Sequence, residues 1–161
     1  MSGQSRHPIG QITGDARVVC GELTDTYDVI MNDTFAGDEP VRATATIEAA
    51  ETAKARLNED GLYVMNIIGI LDDAENEFLG WEVMTLREVF DNVHVYSVMP
   101  NGTSPLDRPQ NWIVVATQDD SWQAPKEYTE VDVSTEGSRV LTDDNSPVEW
   151  LSAQLNEKSN P

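Results

Sequence analysis

Residues 62–70 run Leu-Tyr-Val-Met-Asn-Ile-Ile-Gly-Ile, apolar almost throughout. A strand with no polar alternation calls for cover on both faces, as in a parallel sheet between helices. Two segments beside it repeat with helical period. Over residues 46–57, Ile47, Ala50, Ala53 and Leu57 share one stripe, and Gly61 follows as a stop signal. A second helix starts at Asp72-Asp73-Ala74-Glu75, with acids where the helix dipole favours them. Its stripe is Leu79, Val83, Leu86 and Phe90. Shorter apolar runs at 27–31, 93–98 and 112–117 read as strands, and 9–13 as a further short one. Residues 16–23 read as a brief helix with Val18, Val19 and Leu23 inward. Gly37 and Pro40 mark 34–43 as a loop, and three prolines and a glycine do the same for 99–111. This alternation predicts an α/β layer of parallel strands with one antiparallel hairpin at its end.

Beyond Asp119 the pattern fades into an irregular acidic arm. A short helix over 147–156 is expected to close it, with Ser146 as N-cap and Val148, Leu151 and Leu155 inward. The chain therefore divides into a layered part, residues 1–118, and an arm, residues 119–161. Its 161 residues fit one domain, and no repeat is visible. With 29 acidic against 10 basic residues the net charge is −19. Such a field repels nucleic acid and anionic membranes and attracts cations, polyamines included, although most of the acid is expected to be a solvated surface. The single cysteine, Cys20, excludes an internal disulfide and reads as a small core residue on a helix face. No apolar run approaches the roughly 20 residues of a membrane span, and the first residues lack the apolar stretch of a signal peptide. The expectation is a cytoplasmic protein.

Metal chemistry has little support. The two histidines, His7 and His94, lie far apart, and no calcium-loop spacing occurs. No glycine-rich phosphate loop is present. Two carboxylates are better candidates. Asp33 follows the strand at 27–31, at the rim where open α/β sheets hold ligands. A partly desolvated carboxylate there can take a proton from an amine or hold a cation. Asp15 follows a strand too, and can accept from the amino group of a purine. Each has a plain alternative, the capping of a turn or helix.

Gly14-Asp15-Ala16-Arg17, then Tyr27-Asp28-Val29-Ile30 and Asp33, resembles the second half of spermidine synthase-like proteins. Arg56-Leu57-Asn58-Glu59-Asp60-Gly61-Leu62-Tyr63 is similar to that family's helix-to-strand junction. Thr85-Leu86-Arg87-Glu88-Val89-Phe90 resembles its next helix, and Asn111-Trp112-Ile113-Val114-Val115-Ala116 its closing strand. Leu141-Thr142-Asp143-Asp144 with Pro147-Val148-Glu149 resembles a tail of one branch of the family.

The resemblance implies the class I S-adenosylmethionine methyltransferase fold, a Rossmann-like, mostly parallel sheet with an antiparallel C-terminal hairpin. It implies decarboxylated S-adenosylmethionine, or S-adenosylmethionine itself, as co-substrate, with no tightly bound cofactor. Gly14, Asp15 and Ala16 would then meet the adenine, and Asp33 would position and deprotonate the attacking amine. The family often has a second acid three positions after this one; here the run is Asp33-Thr34-Phe35-Ala36, with Asp38 as the nearest substitute. Asp143, Asp144 and Glu149 would close the acceptor side. The family's glycine-rich loop and ribose-binding acid have no counterpart in the thirteen residues before Gly14. The resemblance thus implies an N-terminally truncated sheet with one raw apolar edge, a route to homo-oligomers. Three readings follow: a polyamine aminopropyltransferase, a non-catalytic half-domain that binds or associates, and an S-adenosylmethionine-dependent methyltransferase.

Overall fold

The computed structural model describes residues 10–36, 39–71, 78–98 and 109–148. In chain order these form α1 (Ala16–Glu22), β1 (Tyr27–Asn32), β2 (Phe35–Ala36), β3 (Glu39–Pro40), α2 (Ile47–Lys54), β4 (Leu57–Gly69), α3 (Phe78–Arg87), β5 (Asn92–Ser97), β6 (Gln110–Thr117) and β7 (Thr129–Val131). A turn of 3-10 helix, Arg42–Thr44, leads into α2. The main sheet has the order β1-β4-β6-β5-β7, and β2 pairs with β3 in a separate ladder.

Strand direction follows from the pairings. β1 is parallel to β4, while β6 is antiparallel to both β4 and β5, and β7 is antiparallel to β5. Thus β1, β4 and β5 run one way and β6 and β7 the other. The hairpin expected at the sheet's end is present, but its second strand is driven between β4 and β5. No strand forms over residues 10–13, contrary to expectation; residue 9, the acidic start 72–77 and most of the terminal segment lie outside the described residues.

Local chemistry fixes the helix starts. Asp15 caps α1, its carboxylate accepting from Arg17 N at 2.9 Å and Val18 N at 3.2 Å. Thr46 caps α2 in the same way. The alanines of α2 let it lie close to the sheet, with Ala49, Ala50 and Ala53 buried. Leu79, Val83, Leu86 and Phe90 are all buried, as their spacing predicts. α3 presses on β4 at Gly69, where an added Cβ would stand 2.9 Å from Leu79 Cβ. Val18, expected inward, is exposed (55%), because α1 is a two-turn peripheral helix that buries no residue. Cys20 is half-buried rather than a core residue.

The helices share one face of the sheet. Tyr63, Met65 and Ile67 are buried on that face, and Trp112, Val114 and Ala116 of β6 stand beside them in register. The alternate positions of β4, Leu62, Val64, Asn66 and Ile68, are only half-buried. Cover on both faces, expected from the apolar run, is therefore not found among the described residues. The second face is partly shielded at β5, where Trp122 packs against His94 and Tyr96 with ring centroids 5.4 and 6.0 Å apart. At β1 it leaves Val29 (51%) and Met31 (70%) exposed.

The stretch after residue 119 adds β7 and sends Val133, Leu141 and Val148 into the core. Leu141 bridges two helices: its N–H donates to Thr85 Oγ1 at 2.9 Å and its carbonyl accepts from Ile47 N at 2.8 Å.

Glu82 is an acid inside the core, on the helix that covers β4. Burial pushes its carboxyl well above its ordinary value of 4.5. Below that value both folded and unfolded chains hold the proton. Above it the unfolded chain ionises while the native carboxyl stays neutral, so stability falls with rising pH, by at most about 1.4 kcal/mol per pH unit. Glu82→Gln is expected to remove this slope. Urea titrations across pH should find the variant more stable than the parent near neutrality and the difference vanishing toward acid pH.

Candidate functional site

The site lies at the carboxyl end of β1. Asn32 is buried and oriented twice: its Nδ2 donates to Tyr63 Oη at 3.0 Å and to Thr44 O at 3.3 Å. Its Oδ1 accepts from Thr34 Oγ1 at 2.7 Å, and Thr34 and Thr44 share a hydroxyl contact at 2.6 Å. Burial raises the Tyr63 hydroxyl far above its ordinary range, so it stays neutral in this network. These bonds fix the chain on both sides of Asp33.

Asp33 itself is exposed. Its Oδ1 accepts from Asn66 Nδ2 at 2.9 Å. The parallel register that sets Asn32 opposite Met65 carries the next residue of each strand into this contact. Sequence reasoning passed over Asn66, although it is the lone amide in an apolar strand. It also passed over Asn32 and Thr34.

A cavity of about 310 Å³ is lined by Asp15, Ala16 and Arg17 on one side and by Asp33, Thr34 and Phe35 on the other. Gly14 and Ala16 also line a second, larger groove of about 500 Å³ along β1. The fold therefore brings Asp33, at the end of β1, to the Asp15–Ala16 start of α1. Asp15 is both cap and lining: Oδ1 takes the two backbone N–H groups, and Oδ2 accepts no bond from the described residues. An added Cβ at Gly14 would lie 3.0 Å from Val19 Cγ2, so a side chain there would crowd Val19.

Asp143 is committed elsewhere. It pairs with Arg17 Nη2 at 3.2 Å and accepts from Thr46 Oγ1 at 2.6 Å, while its N–H donates to Glu48 Oε2 at 3.0 Å. Arg42 Nη2 donates to its carbonyl at 2.8 Å. It thus clamps the arm to the caps of α1 and α2, and through Arg17 it stiffens the cavity wall. Asp144 is exposed in the adjoining turn. Asp38 and Glu149 lie outside the described residues. No group of three metal-ligating side chains occurs among the described residues. None of their helices is long and apolar enough to cross a membrane.

No protein-family model matches the chain, and no curated protein matches its sequence. Solved structures do. A probable spermidine synthase from Corynebacterium glutamicum aligns over 93% of this chain with a TM-score of 0.57 at 23% identity. Human methyltransferase-like protein 13, in complex with SAH, aligns over 92% with a TM-score of 0.48 at 17% identity. The chain spans 52% and 58% of those two proteins, about half of each. The chain shares the α/β, Rossmann-like fold of that probable spermidine synthase.

Proposed function

We propose that this chain carries the amine-acceptor side of a spermidine synthase-like site, transferring an aminopropyl group from decarboxylated S-adenosylmethionine to an amine. One observation carries the reading: Asp15, Ala16 and Asp33 line a single cavity at the carboxyl end of β1. Asp15 and Ala16, with Gly14 behind them, face the adenine. Asp15 Oδ2 accepts from its exocyclic amino group. Asp33, held by Asn66, receives the proton of the attacking amine.

The chemistry balances without a metal or redox partner. The amine nitrogen attacks the methylene beside the sulfonium, a C–N bond forms, the C–S bond breaks, and methylthioadenosine leaves. The proton passes from the new ammonium to the Asp33 carboxylate. Positioning and fixed negative charge supply most of the rate effect in such a displacement. The net charge of −19 supports a cationic acceptor. Asp143 supports the acceptor side only by holding Arg17, and Asp144 adds an exposed acid in the adjoining turn; the family resemblance adds Asp38 and Glu149 as further acids for the acceptor.

Calorimetry with methylthioadenosine, decarboxylated S-adenosylmethionine and S-adenosylmethionine tests the reading. Saturable heat with the first two, weaker with the third, is expected. No heat at millimolar ligand would remove the enzyme reading. Tighter binding of S-adenosylmethionine than of its decarboxylated form would turn it to methyl transfer.

A further inference from the structure

Among the described residues β1 has one strand neighbour, β4, and the backbone on its other side pairs with none of them. An unpaired edge offers a row of N–H and C=O groups to any extended chain. Here the edge opens into the groove of about 500 Å³, whose exposed wall is apolar. Ile12 (66%) and Val29 and Met31 flank it, with Val19 and Ala53 behind. The edge is six residues long, the length of an ordinary strand.

The charges around it select the occupant. Glu22, Asp25 and Asp28 are exposed at the start of β1, and Asp33 is exposed at its end. The neighbouring arginines are engaged: Arg17 with Asp143, and Arg56 Nη2 with Gly21 O at 3.2 Å. A second copy of this chain would bring acid against acid in either orientation. Antiparallel pairing sets Asp33 against the other copy's Asp25 and Asp28, and parallel pairing sets like beside like. A strand flanked by lysine or arginine meets opposite charge at both ends.

We propose that the edge of β1 and its groove bind an extended apolar segment of a partner protein, flanked by basic residues, which joins the sheet as a sixth strand. Backbone hydrogen bonds give affinity, alternate apolar side chains fill the groove, and the flanking cations set the preference. Nothing in this depends on the transferase reading.

The test uses the full chain and three synthetic peptides: a six-residue run of valine and threonine flanked by lysines, the same run flanked by glutamates, and the lysine form with a central proline. Backbone NMR follows the titration. The lysine peptide is expected to bind saturably below millimolar concentration, with shifts confined to β1, α1 and residues 10–15, and the other two should not. Replacing Asp25 and Asp28 by lysine is expected to weaken the lysine peptide by about tenfold at low salt. Both sites are exposed, and because Asp28 accepts from Asn58 Nδ2 at 2.6 Å, the variant's backbone spectrum is compared with the parent's to establish that the fold is retained. Equal binding of lysine and glutamate peptides, or none at millimolar peptide, would overturn the proposal. So would a concentration-dependent dimer in sedimentation runs that protects the β1 amides from exchange.

Discussion

Asp33→Asn is expected to lower kcat/KM for aminopropyl transfer by about 10²- to 10⁴-fold, the range for loss of a general base. The substitution is close to isosteric. Its Oδ1 still accepts from Asn66 Nδ2, the bond of 2.9 Å in the parent, so the side chain keeps its direction. What goes is the negative charge and the capacity to take a proton. Methylthioadenosine affinity should therefore hold, because the proposed adenine contacts, Asp15 and Ala16, line the cavity apart from Asp33. Rate assays with putrescine and spermidine as acceptors, run beside calorimetry, separate the two effects. An unchanged rate in the variant would remove Asp33 from the chemistry.

Trp112→Ala is expected to produce the largest loss of stability, about 3–5 kcal/mol. Its ring is fully buried near the start of β6, under α3, and its Nε1 donates to Gly69 O at 3.0 Å. Truncation removes the most bulky fully buried side chain and leaves that carbonyl without its donor. The surroundings cannot close the gap easily. Leu79 already touches Gly69, and the ladders to β4 and β5 hold β6 on both sides. Equilibrium urea denaturation should show the midpoint shifted down with little change in slope.

The parts legible in the sequence were those with a strong local period. The stripe of Leu79, Val83, Leu86 and Phe90 is buried as its spacing required. β4 was legible from Leu62 onward, but it begins at Leu57. Asn58, Glu59 and Asp60 hid that start, since three polar residues in an edge-like extension carry no pattern. Spatial order was legible only through the resemblance, whose fold sets its last strand between the two before it, as β6 stands between β4 and β5. Residues 110–117 by themselves do not say so, because insertion into a sheet leaves no mark on the inserted strand. The face preference of β4 failed for a related reason. Its even positions from Leu62 to Ile68 are apolar apart from Asn66, as a covered face demands, yet the described helices all lie against its odd ones. At the site, Asp33 and Asp15 were visible as acids after apolar runs, and their shared cavity depends on where α1 docks. Asn66 shows the limit from the other side. A single amide in an apolar strand was a signal, but its meaning required the register that puts it beside Asp33.

The insertion of β6 also dictates when the molecule can assemble. β4 joins β1 early in synthesis, with some two dozen residues between them, and its other edge stays bare until Thr117 has left the ribosome. Leu141, which ties α2 to α3, emerges later still. A nascent chain therefore carries an unpaired apolar strand through much of its elongation, and closure of the sheet is a late, long-range event with the slow kinetics of non-local pairing.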